Sequence, residues 1–185
     1  NVLNPKFVSK IPLNLDSYIK LLNADGSLSG IQIKPFAVPG KVALWLEDPS
    51  KGSNFGSVDE DTIALEIVSE ETKKRFFYVP ACAHVPDWLK DKLNNTDLLF
   101  FDGTLWTDDE MVKQKVGIKT GKRMGHISMS GKEGSIEMLK EINIKRKIFI
   151  HINTTNPALL ENSVEREFLT NNEWEVSFDT MEIEI

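Results

Sequence analysis

The order of apolar and polar positions divides the chain into short elements. Residues 30–38, GIQIKPFAV, alternate apolar and polar and predict a strand. Residues 41–48, KVALWLED, predict a second one. Residues 49–61, rich in Gly, Ser and Asp, read as a loop. TIALEIVSE (62–70) and KRFFYVP (74–80) form a strand–turn–strand unit, with Glu71 and Thr72 in the turn. Residues 15–22 carry an amphipathic pattern that predicts a short helix capped by Asn14 or Asp16. DWLKDKLNN (87–95) predicts a helix with Trp88, Leu89 and Leu93 on one face, Pro86 near its start and Asn94-Asn95 at its stop.

Downstream the apolar runs become continuous. TDLLFFDGT (96–104) contains a strand buried over 98–101, and RKIFIHI (146–152) a second one. Between them, TDDEMVKQ predicts a short helix with Thr107 as N-cap and Glu110 at the third helical position. GSIEMLKEI predicts another, capped by Ser135, with Ile136, Met138 and Leu139 as its apolar side. Residues 156–172 read as loop then helix, with Val164, Phe168 and Leu169 facing inward. The alternation of WEVSFDTMEIEI (174–185) predicts an edge strand. Strand–turn–strand units dominate the first half, and helices and strands alternate in the second. The fold class is therefore layered α/β with a mixed sheet, in a single domain over residues 1–185.

Composition narrows the function. The chain is 41% hydrophobic and 27% charged, an ordinary globular balance. Net charge is −6 and the basic residues are scattered among acids, which argues against a nucleic-acid partner. No apolar run approaches the roughly 20 residues of a membrane span. The single Cys82 can form neither an internal disulfide nor a thiolate cluster. A cytoplasmic protein fits these features. The chain starts at Asn1 without Met, so a piece of a longer protein is expected.

Three histidines, His84, His126 and His151, concentrate the candidate chemistry. His151 ends the strand IFI and is followed by Asn153, Thr154, Thr155, Asn156 and Pro157. His126 follows Gly125 in RMGHISMSG, and Asp102 ends LLFFD ahead of Gly103-Thr104. Strand-end loops on a rigid sheet are where sites are built. Each residue also has a plainer use: Asp102 as a turn former, Asn153 and Asn156 as turn residues, the histidines and Cys82 as structural side chains. No nucleophile elbow, Walker loop, dinucleotide fingerprint or HExxH is present. What remains is a metal site on His151, Asp102 and His126, without diagnostic spacing.

FFDGTLWTDDEM, GKRMGHISMSGKEGSIEML, RKIFIHINTTNPALLENSVERE and WEVSFDTMEI together resemble the C-terminal half of the pyrroloquinoline quinone (PQQ) biosynthesis protein B family, from about Phe76 to the end. VDEDTIALEI resembles that family's mid-chain strand, and residues 1–45 match loosely. The resemblance implies a metallo-β-lactamase-like αββα sandwich lacking its N-terminal part. It implies His151 as metal ligand, Asp102 and His126 as a catalytic acid–histidine pair that moves protons, and Asn153 and Asn156 as substrate donors. The superfamily's early His/Asp cluster is absent. Pro80 and Ala81 stand where many of its hydrolases carry a bridging Asp, which disfavours a two-metal hydrolase. The implied cofactor is one iron (Fe2+), with zinc able to replace it in the purified protein. The implied reaction is O2-dependent hydroxylation of the tyrosine ring in a cross-linked Glu–Tyr precursor, a small peptide-derived partner. Two alternatives are a soluble accessory that carries PQQ or its precursor toward the periplasm, and a metal-dependent hydrolase. A half sandwich would expose one face of its sheet, so a missing N-terminal segment or a second copy is expected to complete it.

Overall fold

A computed structural model describes residues 4, 6–8 and 11–185. Seven strands build one sheet in sequence order: β1 (Ile19–Leu22), β2 (Leu28–Ala37), β3 (Ile63–Ser69), β4 (Arg75–Val79), β5 (Thr96–Asp102), β6 (Ile144–Ile150) and β7 (Trp174–Val176). β1 to β4 pair antiparallel, whereas β4, β5, β6 and β7 pair parallel. The parallel connections carry helices α1 (Asp87–Leu93), α2 (Glu110–Lys113), α3 (Gly121–Met124), α4 (Ser135–Met138) and α5 (Val164–Asn171). None of the described helices is long and apolar enough to cross a membrane.

The sheet has two unlike faces. Phe77, Val79, Leu99, Phe101 and Phe149 are fully buried and share one core with Leu89 and Leu93 of α1, Ile136 of α4 and Leu169 of α5. On the opposite face the register aligns Leu65 with Tyr78, Ile67 with Phe76, and Tyr78 with Phe100. There Phe76 and Phe100 are only half-buried and Tyr78 is 39% exposed. The one sheet formed by the described residues thus keeps an apolar face partly open to water.

Several local expectations are overturned. Residues 15–22 do not form a helix. Asp16 takes a left-handed backbone (φ 58°), and its N–H donates to Pro35 O, turning the chain into β1. Ile19–Leu22 has a period of two in its burial, and pairing with β2 selects that reading. Residues 41–48 form no strand either. The N–H groups of Lys41 and Val42 donate to Thr62 Oγ1 and Ser57 Oγ, and Leu44–Leu46 makes a 3-10 turn. Thr107 does not cap α2. Instead Glu110 reaches back to accept from Trp106 N at 2.7 Å. Ser135 is the first residue of α4 and Gly134 precedes it as the cap. Trp88, Val164 and Phe168 are exposed, because α1 and α5 bury only a narrow line through Leu89, Leu93 and Leu169. Of residues 174–185 only Trp174–Val176 pairs, as the edge strand β7.

Candidate functional site

The site lies at the carboxyl ends of parallel strands β5 and β6, where side chains and loops converge over a rigid sheet. Asp102, the last residue of β5, is fully buried. Gly103 follows because there is no room for a side chain: a Cβ there would lie 2.7 Å from Met129 Cε and 2.9 Å from Phe149 Cβ. The chain then turns, and Thr104 folds back onto Asp102. His151 directly follows β6 with φ 54°, a left-handed backbone uncommon for a side chain of this size. That kink carries its imidazole off the line of the strand. His126 is delivered by α3, whose C-cap Gly125 (φ 87°) lets the backbone pass close to Lys41.

These residues form one hydrogen-bonded unit. Asp102 Oδ1 accepts from Thr104 N at 3.0 Å and from Thr104 Oγ1 at 2.6 Å. Its Oδ2 accepts from Cys82 N at 3.0 Å and lies 2.7 Å from His126 Nδ1. Thr104 Oγ1 spends its proton on Asp102, so it can only accept from His151 Nδ1, at 2.9 Å. Both imidazoles are therefore oriented with Nδ1 as the hydrogen-bond donor. The rings stack at 5.3 Å between centroids, 28° apart in tilt. One ligand atom from each of Asp102, His126 and His151 falls within 4.8 Å of the others.

Electrostatics follow from this geometry. Burial works to raise the Asp102 pKa, but the hydrogen bonds from His126 and Thr104, with His151 close by, outweigh it and hold the carboxyl below its ordinary range. The Asp102 carboxylate raises the pKa of His151 against partial desolvation; at 3.9 Å from Nδ1 it acts as a charge, with Thr104 as the intervening hydrogen-bond partner. Burial, and after it the Asp102 charge, push the Cys82 thiol up to about 12.

The remaining candidates separate from this centre. Asn153 donates from Nδ2 to Thr155 Oγ1, which donates in turn to Glu110 Oε1. Its Oδ1 has no partner among the described residues. Asn156 is buried, donates to Gly103 O and accepts from Ala158 N, so both ends of its amide brace the turn that follows His151. His84 is exposed and Cys82 is core. Sequence reasoning missed Thr104, the hydroxyl that joins both histidines to Asp102. The Gly-Thr directly after a strand-end Asp was its only signal. A cavity of about 590 Å³ opens over His126 and His151.

Comparison with known proteins gives a consistent kinship. The family model for the beta-lactamase superfamily domain matches residues 2–152. Coenzyme PQQ synthesis protein B of Bradyrhizobium diazoefficiens is 46% identical over 184 residues, covering 99% of this chain and 59% of the relative. That of Xanthomonas oryzae pv. oryzae is 45% identical over 183 residues, covering 99% and 58%. The crystal structure of Zn(2+)-bound PqqB from Methylobacterium extorquens superposes with a TM-score of 0.83 at 40% identity, covering 94% of this chain and 55% of that one. The chain thus spans less than two thirds of the length of the relatives it matches.

Proposed function

The chain belongs to the β-lactamase superfamily, in its branch of PQQ synthesis B proteins, and from that premise we propose that it serves PQQ biosynthesis as a metal-dependent hydroxylase of a tyrosine ring. The substrate in this reading is a small peptide-derived Glu–Tyr precursor. One atom of O2 enters the ring, and the other leaves as water at the expense of two electrons from an added reductant.

The observation that carries the reading is the pair of imidazoles whose Nδ1 atoms are tied to Asp102 and Thr104 while neither Nε2 has a hydrogen-bond partner among the described residues. Histidines fixed through one nitrogen by a carboxylate or its relay are how proteins present the other nitrogen to a metal. The donor set fits a divalent ion, with His151 as ligand. Zn2+ in the Methylobacterium relative supports a metal here. Iron is preferred for this reaction because zinc has no redox chemistry, and bound Fe2+ would supply the electrons that activate O2. Asp102, ionised and buried, orients His126 through Nδ1. His126 Nε2 is then free to take a proton from the phenol or return one. Asn153 Oδ1 is left to accept from the phenol hydroxyl or from a substrate amide.

The test uses the full-length polypeptide loaded with Fe2+, an acidic tyrosine peptide, reductant and isotopically heavy O2. One heavy oxygen in the ring is expected. Changing His151 to Ala should remove both metal and activity, whereas His126→Ala should keep the metal and slow turnover by about 10²–10⁴-fold. A product whose new oxygen comes from water, or turnover indifferent to metal, would sink the hydroxylase.

A further inference from the structure

The cavity over the histidine pair has walls that this chemistry does not use. Val42, Ala43, Leu44, Ile63 and Met124 give it an apolar body. Trp45 stands at its edge with 84% of its surface exposed, flanked by the exposed Leu44 and Leu46. Three consecutive large apolar residues left in water at the rim of a cavity suit contact with whatever the cavity takes in. The exposure does not come from a loose segment. Glu47, at the end of this stretch, is gripped by both guanidinium nitrogens of Arg123 at 2.8 and 3.0 Å, and Lys41 holds it from the other side. Arg123 in turn lies 4.0 Å over the ring of Phe55. The stretch is thereby pinned to α3, the element that delivers His126.

Charge in the cavity is unequal once its pairs are resolved. Lys41 and Arg123 share the single Glu47 carboxylate, which leaves this cluster one positive charge in excess. Asp61, exposed, keeps its charge but turns Oδ2 to Val58 N in its own turn. Lys119, half-buried in the wall, makes no ion pair or hydrogen bond through its side chain among the described residues. It is a cation without a partner beside an aromatic surface, within the same cavity as His126 and His151.

We propose that this cavity is a substrate subsite in which Lys119 takes a carboxylate and Trp45 stacks on an aromatic ring, so that it selects phenolic substrates bearing a free carboxylate. The assignment rests on the reading of the histidine pair as the reacting centre. It adds the feature that distinguishes an amino-acid-derived phenol from a neutral one. A charge-assisted contact in a partly desolvated wall supplies the discrimination, and the ring contact supplies affinity that both kinds of ligand share.

The test is calorimetric titration of the full-length protein with two probes, glutamyl-tyrosine and tyramine. Wild type should bind glutamyl-tyrosine the more tightly. Lys119→Gln should weaken that binding by about tenfold and leave tyramine unchanged, as expected for loss of one hydrogen bond to a charged group. Trp45→Ala should weaken both, and Lys140→Gln, on the exposed side of the loop after α4, neither. Equal binding of the two probes, no binding by wild type, or a Lys119→Gln variant indistinguishable from wild type would overturn the subsite. Steady-state kinetics separate this failure from that of the activity. Hydroxylation with an unchanged KM in Lys119→Gln discards the subsite alone. Lys119-dependent binding without any hydroxylation by the iron-loaded protein keeps the subsite and discards the hydroxylase.

Discussion

The two halves of the sheet are built differently. In the parallel half, β5 and β6 bury residues on both faces: Leu98 and Leu99 are neighbours in sequence, as are Ile148 and Phe149, and all are nearly or wholly inaccessible. In the antiparallel half, β2 and β3 bury Phe36 and Ala64 on one face and leave Ile31 and Ile67 exposed or half-buried on the other. This is the usual contrast between strands sandwiched by other layers and strands with one wet side. It shows where the molecule can afford precision. Asp102 and His151 stand at the ends of strands that cannot shift, whereas the antiparallel half leads into the 41–48 stretch that walls the cavity.

The largest expected effect tests the rigid side. Asp102→Ala should cost about 3–5 kcal/mol in urea unfolding, since it strands Cys82 N, Thr104 N and His126 Nδ1 around an empty space. Phe149→Ala, which removes a ring stacked at 4.0 Å on Trp174, should fall in a similar range, about 3–5 kcal/mol. Ile33→Ala, in the half-buried row of β2, should cost only about 1 kcal/mol. A loss at Ile33 as large as at Phe149 would break the contrast, because it would mean that the open face is covered when the protein folds in solution.

A smaller effect sharpens the same point chemically. Cys82, fully buried and with its thiol pKa pushed up to about 12, should resist iodoacetamide in the native protein and react only as urea unfolds it. Labelling under native conditions would mean that the floor beneath Asp102 opens.

How much of this could be read from the chain follows the same division. The continuous runs of β5 and β6 and the strand–turn–strand of β3 and β4 are visible in the sequence because burial on a fixed period leaves a local mark. Residues 19–22 fit a helix or a strand equally well, and only the presence of β2 alongside decides. Asp102, His126 and His151 stand out as polar groups at the tips or turns of apolar segments. Their joining through Thr104 does not, because a hydroxyl that donates once and accepts from an imidazole 47 residues away leaves no spacing to detect. Lys119 and Trp45 were invisible for a related reason. An unpaired cation and an exposed indole are ordinary in a sequence and become informative only when the cavity between them is seen.

The mildest prediction concerns the clamp on the antiparallel side of the comparison. Hydrogen bonds from Arg123 and then Lys41 hold Glu47 near a pKa of about 2, against an ordinary value of 4.5. Because the folded pKa lies below the unfolded one, the stabilisation is complete above the ordinary value and is lost as pH falls from there toward about 2. Glu47→Gln removes the charge at every pH. The difference in melting temperature between wild type and Glu47→Gln should therefore be constant near neutrality and shrink toward zero across that acid range. Comparing the two proteins cancels the other carboxylates that titrate there. A difference that persists unchanged at the acid end would show that the clamp acts through packing of Phe55 and Arg123, not through the Glu47 charge. A difference that vanishes, together with weaker binding of glutamyl-tyrosine by Glu47→Gln at neutral pH, would tie the exposed indole's position to this ion pair. The antiparallel half would then owe the shape of its cavity wall to a contact made on the helix that carries His126.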